Sequence, residues 1–223
     1  MKNFTKPASG LVLVMAAAGL SLVAAQPLAA QESEVEWSGI YAGIALGAAF
    51  NGDDDVRVDP AAVTPGTLEM NGSQAVVSLG YNWGEEGIVW GVEGDIQLGS
   101  VEDSVTGGGV SATSKIDKAA SIRLRAGLPV LSSGLVYATA GVAVAKLDYT
   151  VTGAAPAVAI NSDSTEWGYA LGAGYEHAMS NGWSLKGEYM YENFGSTTLS
   201  DGAQSTKATP DFHTLRLGLN RQF

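Results

Sequence analysis

The chain of 223 residues has no cysteine, only two histidines and little charge. The missing thiols exclude disulfide frameworks, zinc sites with cysteine ligands and cysteine nucleophiles. Two histidines, His177 and His213, are too few for most multi-histidine metal sites. Acidic residues outnumber basic ones by 23 to 12, and the resulting net charge of −11 argues against nucleic-acid binding. Charged residues make up only 16% of the chain, whereas an ordinary soluble domain has roughly 25%.

The N-terminus carries the pattern of a secretory signal peptide. Lys2 and Lys6 precede an apolar run at residues 11–25, and small residues follow at 28–30. The run is shorter than the roughly twenty residues of a spanning helix, so a retained membrane anchor is the weaker alternative. We predict cleavage after Ala30, with a competing site at residues 23–25. Residues 31–36 then form an acidic periplasmic tail, and the mature charge is 10 − 23 = −13.

From residue 37 onward, apolar side chains alternate with small or polar ones. In the first segment Ile40, Ile44 and Leu46 alternate with Tyr41 and several glycines. Such a period of two predicts β-strands with one apolar face. The pattern recurs often enough to predict eight strands, near residues 37–50, 74–83, 90–98, 120–128, 136–144, 167–176, 183–191 and 214–223.

The connections between these strands alternate in length. Links at 84–87, 129–134 and 179–182 are short, whereas those at about 51–72, 100–115, 149–164 and 195–210 are long and polar. This alternation is typical of outer-membrane barrels. We therefore predict an all-β fold for residues 37–223, an eight-stranded antiparallel transmembrane up-and-down β-barrel. Its short turns and both termini are expected in the periplasm, and its long loops outside the cell.

Aromatic residues predict which barrel face meets lipid. They concentrate at the two ends of the strands, with aliphatic residues between them, as expected for a bilayer with interfacial girdles. The aliphatic face is therefore predicted to point outward. The girdle beside the short turns comprises Trp37, Trp83, Trp90, Tyr175, Trp183 and Phe223, of which all but Trp37 lie on the aliphatic face. The opposite girdle comprises Phe50, Trp167 and Tyr191.

The inward face carries charges that must be accommodated in the lumen. An eight-stranded barrel is only wide enough for its own side chains, and unpaired buried charges are costly. Four acids and four bases give 4 − 4 = 0, which predicts a self-neutralising plug, with a narrow gated conduit as the alternative. The expected register sets Glu93 beside Arg123, Glu176 beside Lys186 and Glu188 beside Arg216. The predicted network comprises Glu93, Asp95, Arg123, Arg125, Glu176, Lys186, Glu188 and Arg216.

Six segments have closely related patterns of glycine, aromatic and charged residues: Trp37–Gly43, Val89–Asp95, Ser121–Gly127, Tyr137–Ala143, Trp167–Glu176 and Phe212–Gly218. They resemble the small porin-like outer-membrane β-barrel family of alphaproteobacteria, which includes major surface antigens and haemin-binding proteins. The resemblance covers nearly the whole mature chain and implies a structural barrel with surface-exposed loops. It also implies assembly by the outer-membrane insertion machinery through the last strand. In that strand Gly218 and Phe223 match the family's assembly signal, whereas Arg221 stands where an aromatic is expected.

Metal binding, haem binding and enzymatic activity have little support in the sequence. Aspartates at 53–55 and 59 could supply calcium ligands, but Val56 stands where a calcium loop needs glycine, so we predict a solvated acidic loop and no metal. His213 is the candidate haem ligand, but a lone histidine is more often a polar residue at a strand end. The two histidines lie at opposite strand ends, which gives no Ser-His-acid arrangement and predicts that the protein is not an enzyme.

The sequence thus predicts a non-enzymatic structural barrel of the outer membrane, exposed at the cell surface and without a cofactor. Its expected partners are outer-membrane lipid, lipopolysaccharide, the insertion machinery and host or environmental ligands at the loops. The alternatives are a narrow porin for small solutes, a receptor for haemin or another ligand, and a soluble secreted carrier.

Overall fold

The computed structural model describes residues 35–52, 54–85, 87–154 and 157–223. The predicted signal peptide at 1–30 lies outside these ranges, as does the predicted acidic tail apart from Val35 and Glu36. The described residues form twelve strands: β1 (Gly39–Phe50), β2 (Asp54–Val58), β3 (Val63–Leu68), β4 (Asn71–Glu85), β5 (Ile88–Gly107), β6 (Val110–Val130), β7 (Gly134–Ala154), β8 (Ala157–Ala178), β9 (Trp183–Asn193), β10 (Thr197–Ser200), β11 (Ser205–Ala208) and β12 (Asp211–Gln222).

Eight of these strands close into a barrel. The order around the ring is β1, β4, β5, β6, β7, β8, β9 and β12, and every neighbouring pair is antiparallel. The predicted fold class is therefore confirmed. Helical structure among the described residues amounts to a 3-10 turn at Ser180–Gly182, and none of it has the length or apolar character of a membrane-crossing helix.

The alternating sequence pattern gives the barrel wall two different faces. Outward side chains such as Leu46 and Leu217 are 73% and 70% exposed, whereas their neighbours along each strand are largely buried in the lumen. Glycines at inward positions make room for large lumen side chains. A Cβ at Gly80 would lie 2.3 Å from the ring of Tyr41, and one at Gly174 would lie 2.4 Å from the hydroxyl of Tyr137.

The predicted long loops contain more regular structure than their polar composition suggested. The segments 100–115 and 149–164, predicted as loops, mostly continue β5 to β8 well beyond the other barrel strands. Gly108 and Gly109, with φ of 59° and 81°, form the tight turn between β5 and β6. Within 51–72 and 195–210 the chain forms the hairpins β2–β3 and β10–β11. Inward valines and isoleucines, spaced by two among polar residues, stabilise these extensions because they bury apolar surface.

The two hairpins lie between the protruding edges of β5 and β8. The backbones of Asp59 and Ser205 exchange hydrogen bonds of 2.9 and 2.8 Å, which join the hairpins to each other. The amide of Glu69 donates to Asp103 on β5 at 2.6 Å. On the other side, the amide of Ala159 on β8 donates to Asp201 at 3.1 Å. These contacts continue the barrel wall upward as a second, closed structure.

We call this structure the cap. It comprises β2, β3, β10, β11 and residues 100–107, 110–116, 147–154 and 157–164 of the protruding strands. We call the barrel between the two aromatic girdles the band. The interior of the cap is apolar, with a core that includes Val56, Leu68, Val101, Ile116, Leu147, Tyr149, Val151 and Ile160. Met70, Phe194 and Phe212, from the adjoining chain segments, belong to the same apolar cluster.

Candidate functional site in the barrel lumen

Nine charged side chains fill the lumen of the band, and none is more than 5% exposed. Each occupies an inward position of its strand, so the alternation of the wall places them all on one surface. They are Glu93 and Asp95 on β5, Arg123 and Arg125 on β6, Glu176 on β8, Lys186, Glu188 and Glu192 on β9, and Arg216 on β12.

The strand register matches the pairs that the sequence suggested. Glu93 lies opposite Arg123, Glu176 opposite Lys186 and Glu188 opposite Arg216. The ion pairs follow this register only in part, because several side chains reach across the lumen. Lys186 contacts Glu93 at 3.1 Å rather than the neighbouring Glu176. Glu176 instead accepts a hydrogen bond of 2.5 Å from Arg125.

Arg123 is the centre of the network. Its guanidinium pairs with Glu93 and lies 3.2 Å from Asp95 and 3.7 Å from Glu188. The same side chain also donates to the sulfur of Met190 at 3.1 Å. Removing Arg123 would therefore leave three buried carboxylates without their common cation.

Arg216 and Arg125 connect the network to the two ends of the lumen. Arg216 contacts Glu192 at 3.0 Å, with Glu188 and Asp95 at 3.8 and 3.9 Å. Arg125 stacks over the ring of Tyr137, with its central carbon 3.8 Å from the ring centroid. Such a cation–π contact offsets part of the desolvation of a buried guanidinium.

Glu192 was missed by the sequence reasoning, and it changes the charge of the lumen. The predicted strand ended at residue 191, although Glu192 continues the inward series of Lys186 and Glu188 on β9. It is fully buried and bound to Gln97 at 2.7 Å as well as to Arg216. The predicted balance of zero is therefore wrong, since the described lumen has a formal sum of 4 − 5 = −1.

Neutral donors satisfy the carboxylates that the bases do not fully neutralise. The Tyr41 hydroxyl donates to Glu93 at 2.8 Å, and that of Tyr137 donates to Glu188 at 3.2 Å. Ser121 donates to Asp95 at 2.6 Å and Asn220 to Glu176 at 2.8 Å. These hydrogen bonds compensate the desolvation of the buried acids. The arrangement forms an ion-paired network, which confirms the predicted charge-paired lumen.

Apolar side chains close the lumen at both ends. At the short-turn end Trp37 is 7% exposed and packs with Val89 and Leu135. The assignment of Trp37 to the outer girdle is therefore wrong. It shares the inward parity of Gly39 and Tyr41, which turns its ring under the barrel. At the other end the apolar core of the cap covers the network.

The remaining residues of the predicted girdle at the short turns lie on the outer face. Trp83 and Trp90 are partners across β4 and β5. The guanidinium of Arg221 lies 5.8 Å from the ring of Trp183 and 6.0 Å from that of Phe223, so it extends the girdle where an aromatic was expected. The outward members are Trp83, Trp90, Tyr175, Trp183 and Phe223.

Gly218 marks a close approach of the last strand to the first. A Cβ at this position would lie 2.7 Å from the carbonyl oxygen of Ile44 and 2.8 Å from the Cβ of Ala45. The amide of Phe223 completes this seam by donating to the carbonyl of Ile40 at 2.9 Å.

The histidines lie at opposite ends of the barrel. The ring of His213 stacks on Phe50 and Tyr189, and its Nδ1 forms a 2.6 Å hydrogen bond with the Tyr189 hydroxyl. His177 lies near Tyr175 at the short turns. Across the described ranges no group of three His, Asp or Glu side chains is arranged to hold a metal ion. The side chains of Asp53, Asp54 and Asp55 are outside that description.

The chain is similar to known outer-membrane proteins. The family described as the outer membrane protein β-barrel domain matches residues 15–223. The 31 kDa outer-membrane immunogenic protein of Brucella melitensis biotype 1 is 34% identical over 217 residues, which cover 88% of each chain. The 22 kDa outer membrane protein of Rhizobium leguminosarum bv. viciae is 30% identical over 194 residues, covering 87% of this chain and 83% of the relative. The solved structure of Neisserial surface protein A aligns with a TM-score of 0.49 and 15% identity, over 83% of this chain and 98% of its own.

These matches confirm the predicted family. The family match spans nearly the whole chain. Both relatives are outer-membrane proteins, and their alignments cover most of each chain. The barrel with its aliphatic outer face and ion-paired lumen therefore belongs to the outer membrane protein β-barrel domain family, and the chain is an integral protein of the outer membrane.

Proposed function

We propose that this protein is a non-enzymatic structural barrel whose lumen is closed to solutes. The observation that carries the proposal is the ion-paired network enclosed between two apolar seals. A solute crossing the lumen would have to pass Trp37 and its neighbours, separate the ion pairs around Arg123, and then traverse the cap core. The lumen charges serve stability, because each is bound to partners in the wall itself.

The protein is oriented with both termini and the short turns in the periplasm and with the cap outside the cell. Two features support this orientation. An even number of strands brings both termini to the same end of the barrel, and outer-membrane barrels place their longer connections at the cell surface. The cap is then the part that meets host or environmental ligands, and the names of the Brucella relatives as immunogenic proteins fit a surface-exposed region.

Insertion uses the last strand as its signal. Gly218 permits the tight β12–β1 seam, and Phe223 presents an exposed aromatic ring at the strand end. The insertion machinery and the surrounding lipid and lipopolysaccharide are the partners that follow from this arrangement.

Planar-bilayer recording on the purified full-length mature protein tests the closed lumen. We expect no steady conductance at neutral pH, because the network leaves no continuous aqueous path. Arg57→Ala, which removes an exposed cap pair, is the control and stays silent. A steady wild-type conductance that rises in Arg216→Ala would instead establish the narrow porin.

A further inference from the structure

The protruding part of β8 has one edge without a strand partner. β7 pairs with β8 along nearly its whole length, whereas β9 reaches only residues 169–178 because it ends at Asn193. Residues 157–168 of β8 therefore extend beyond β9. The hairpin β10–β11 lies beside them, but its two strands pair with each other. The wall of the cap is closed at this place by side chains and not by a β-ladder.

Three backbone amides of this edge are open to a new partner. Ala159 donates its amide to the carboxylate of Asp201 at 3.1 Å, so this amide points away from β7. Amides two residues apart in a strand point to the same side, so those of Asn161, Asp163 and Thr165 share this direction. In the part of the chain that the structure describes, none of the three donates a hydrogen bond on this side. Another backbone can therefore bind here.

The open stretch comprises residues 160–167. At its lower end the Thr197 hydroxyl donates to Glu166 at 2.5 Å. Immediately below, a Cβ at Gly168 would overlap the carbonyl of Asn193, which shows that β8 and β9 come into direct contact there. The stretch has 167 − 160 + 1 = 8 residues, which is enough for a strand of ordinary length.

The corresponding edge of β5 is covered. β5 extends beyond β4 only at residues 103–107, and β3 lies against this stretch. A Cβ at Gly66 would lie 2.8 Å from the side chain of Val105, and one at Gly107 would overlap the carbonyl of Pro65. Unpaired edge strands accept strands from other chains, and β8 is therefore the side of the cap that can do so.

The cap and its base are acidic. Five basic and twelve acidic side chains give a sum of 5 − 12 = −7. A second copy of this chain would bring the same charge to the edge and would be repelled, whereas a basic segment would be attracted. The ranges counted are 54–70, 100–118, 146–166 and 197–211.

The immediate surroundings of the open stretch have the same sign. Lys146 and Lys207 are the bases beside it, and Lys146 is already bound to Asp163 at 3.0 Å. Four acids oppose these two bases, which gives 2 − 4 = −2 and favours a partner with several positive charges. The acids are Asp148, Asp163, Glu166 and Asp201.

We propose that residues 160–167 of β8 are a docking site for an extended segment, rich in lysine or arginine, of an extracellular protein. The segment adds a strand beside β8, and its carbonyl groups accept hydrogen bonds from Asn161, Asp163 and Thr165. Its basic side chains meet the surrounding acids. The inference rests on the proposed orientation, because the edge must lie outside the cell, and it gives a site and a chemistry to the surface ligands of the proposed function.

Fluorescence polarisation tests the site with a labelled ten-residue peptide of alternating lysine and threonine, titrated with the full-length mature protein in a zwitterionic detergent. Thr165→Pro is expected to weaken binding about tenfold, because proline donates no hydrogen bond and its ring occupies the place of the amide. Proline is tolerated on edge strands, and circular dichroism checks that the barrel is retained. Thr165→Val keeps the amide and is the matched control, with wild-type affinity expected.

Two further peptides separate strand addition from simple charge attraction. The same peptide with every amide N-methylated keeps its charge and is expected to bind at least about tenfold more weakly. A peptide with glutamate in place of lysine should not bind. Undiminished binding of the methylated peptide, or equal affinities of Thr165→Pro and Thr165→Val, would overturn the docking site. A wild-type dimer in native mass spectrometry that Thr165→Pro dissociates would also overturn it, because a second copy would then occupy the edge.

The orientation is tested separately, so the two failures can be distinguished. Thr106→Cys at the tip of the cap is expected to react with an impermeant maleimide on intact cells. Protection of this cysteine would refute the proposed orientation. Labelling combined with unaltered peptide binding by Thr165→Pro would refute the docking site alone.

Discussion

The band and the cap share strands β5 to β8 but have opposite interiors. In the band, β7 turns Val142 outward with 55% exposure, and the lumen is charged. A few residues further along the same strand, Leu147 and Val151 are fully buried inside the cap, while Asp148 and Thr150 face outward. Inward and outward positions keep the same parity throughout β7. The polarity of each face therefore changes along the strand although the backbone alternation does not.

The difference follows from what surrounds each part. Around the band, lipid accepts the apolar side chains, so the lumen can hold polar groups provided that they bind each other. Around the cap, water receives the polar side chains, and the hydrophobic effect drives the apolar ones inward. The two interiors should consequently respond to different substitutions.

The largest effect is expected in the lumen of the band. Arg123→Ala leaves Glu93, Asp95 and Glu188 without their shared cation and should lower the free energy of unfolding by about 3 to 5 kcal/mol. Urea unfolding in lipid vesicles measures this loss in the free energy of unfolding. The control Arg57→Ala breaks a pair whose side chains are 62% and 51% exposed and should change stability by about 0 to 1 kcal/mol. Equal losses in both variants would contradict the distinction.

In the cap, a cavity rather than an unpaired charge is the damaging change. Leu147→Ala removes a fully buried side chain from the apolar core and is expected to cost about 2 to 5 kcal/mol. Leu217→Ala on the lipid face leaves no cavity, because acyl chains occupy the space. Denaturant midpoints of both variants in the same vesicles make the comparison, and a greater loss for Leu217→Ala would refute the buried cap core.

A charged side chain introduced on the outer face of the band should destabilise the protein. Leu217→Arg, at a lipid-facing position on β12, is expected to lower the free energy of unfolding by about 2 to 4 kcal/mol. Leu131→Arg is the matched control, since Leu131 is 91% exposed in a short turn outside the band, and it should cost about 0 to 1 kcal/mol. The unfolding midpoint in vesicles reports both. An unchanged midpoint for Leu217→Arg would place that face in water.

The smallest effect concerns the attachment of the cap hairpin to β8. Hydrogen bonds from the backbone amides of Gln204, Ala159 and Ala203 lower the pKa of Asp201. A lowered folded-state pKa stabilises the protein above the unfolded-state value of about 3.9, and this stabilisation is lost as the pH falls through the folded-state pKa. Asp201→Asn should therefore speed amide exchange at Ala159 at neutral pH, with the difference from wild type disappearing in acid. A difference in exchange rate between Asp201→Asn and wild type that grows in acid would contradict the lowered pKa of Asp201.

The sequence predicted the band well because its alternation is unbroken there. Each of the eight strands has a run of apolar outward residues, and the same parity places Glu93 opposite Arg123. Contacts that cross the lumen, such as Lys186 to Glu93, depend on side-chain reach and cannot be obtained from strand register. Strand parity also places Trp37 and Glu192 on the inward face. Trp37 is the first residue of the first predicted strand, and Glu192 lies one residue beyond the predicted end of its strand at Tyr191.

The cap was predicted poorly for a physical reason. A register shift at Asp117 reverses the parity of β6, so inward residues are odd-numbered in the band and even-numbered in the cap. The alternation of inward and outward residues along β6, traced from the band, is therefore interrupted at Asp117. Beyond it, the inward apolar residues are separated by serine, threonine and aspartate, a composition that also suits solvated loops.

The central claim is that β7 keeps its parity while its surroundings change from lipid to water. Because the chain has no cysteine, single spin labels can be placed along β7 at unique positions. At Ala138 and Val142 we expect labels accessible to oxygen but not to a water-soluble nickel reagent, at Asp148 and Thr150 the reverse, and at Leu147 protection from both. Nickel access at Val142, or one unchanging preference along the whole strand, would contradict the account.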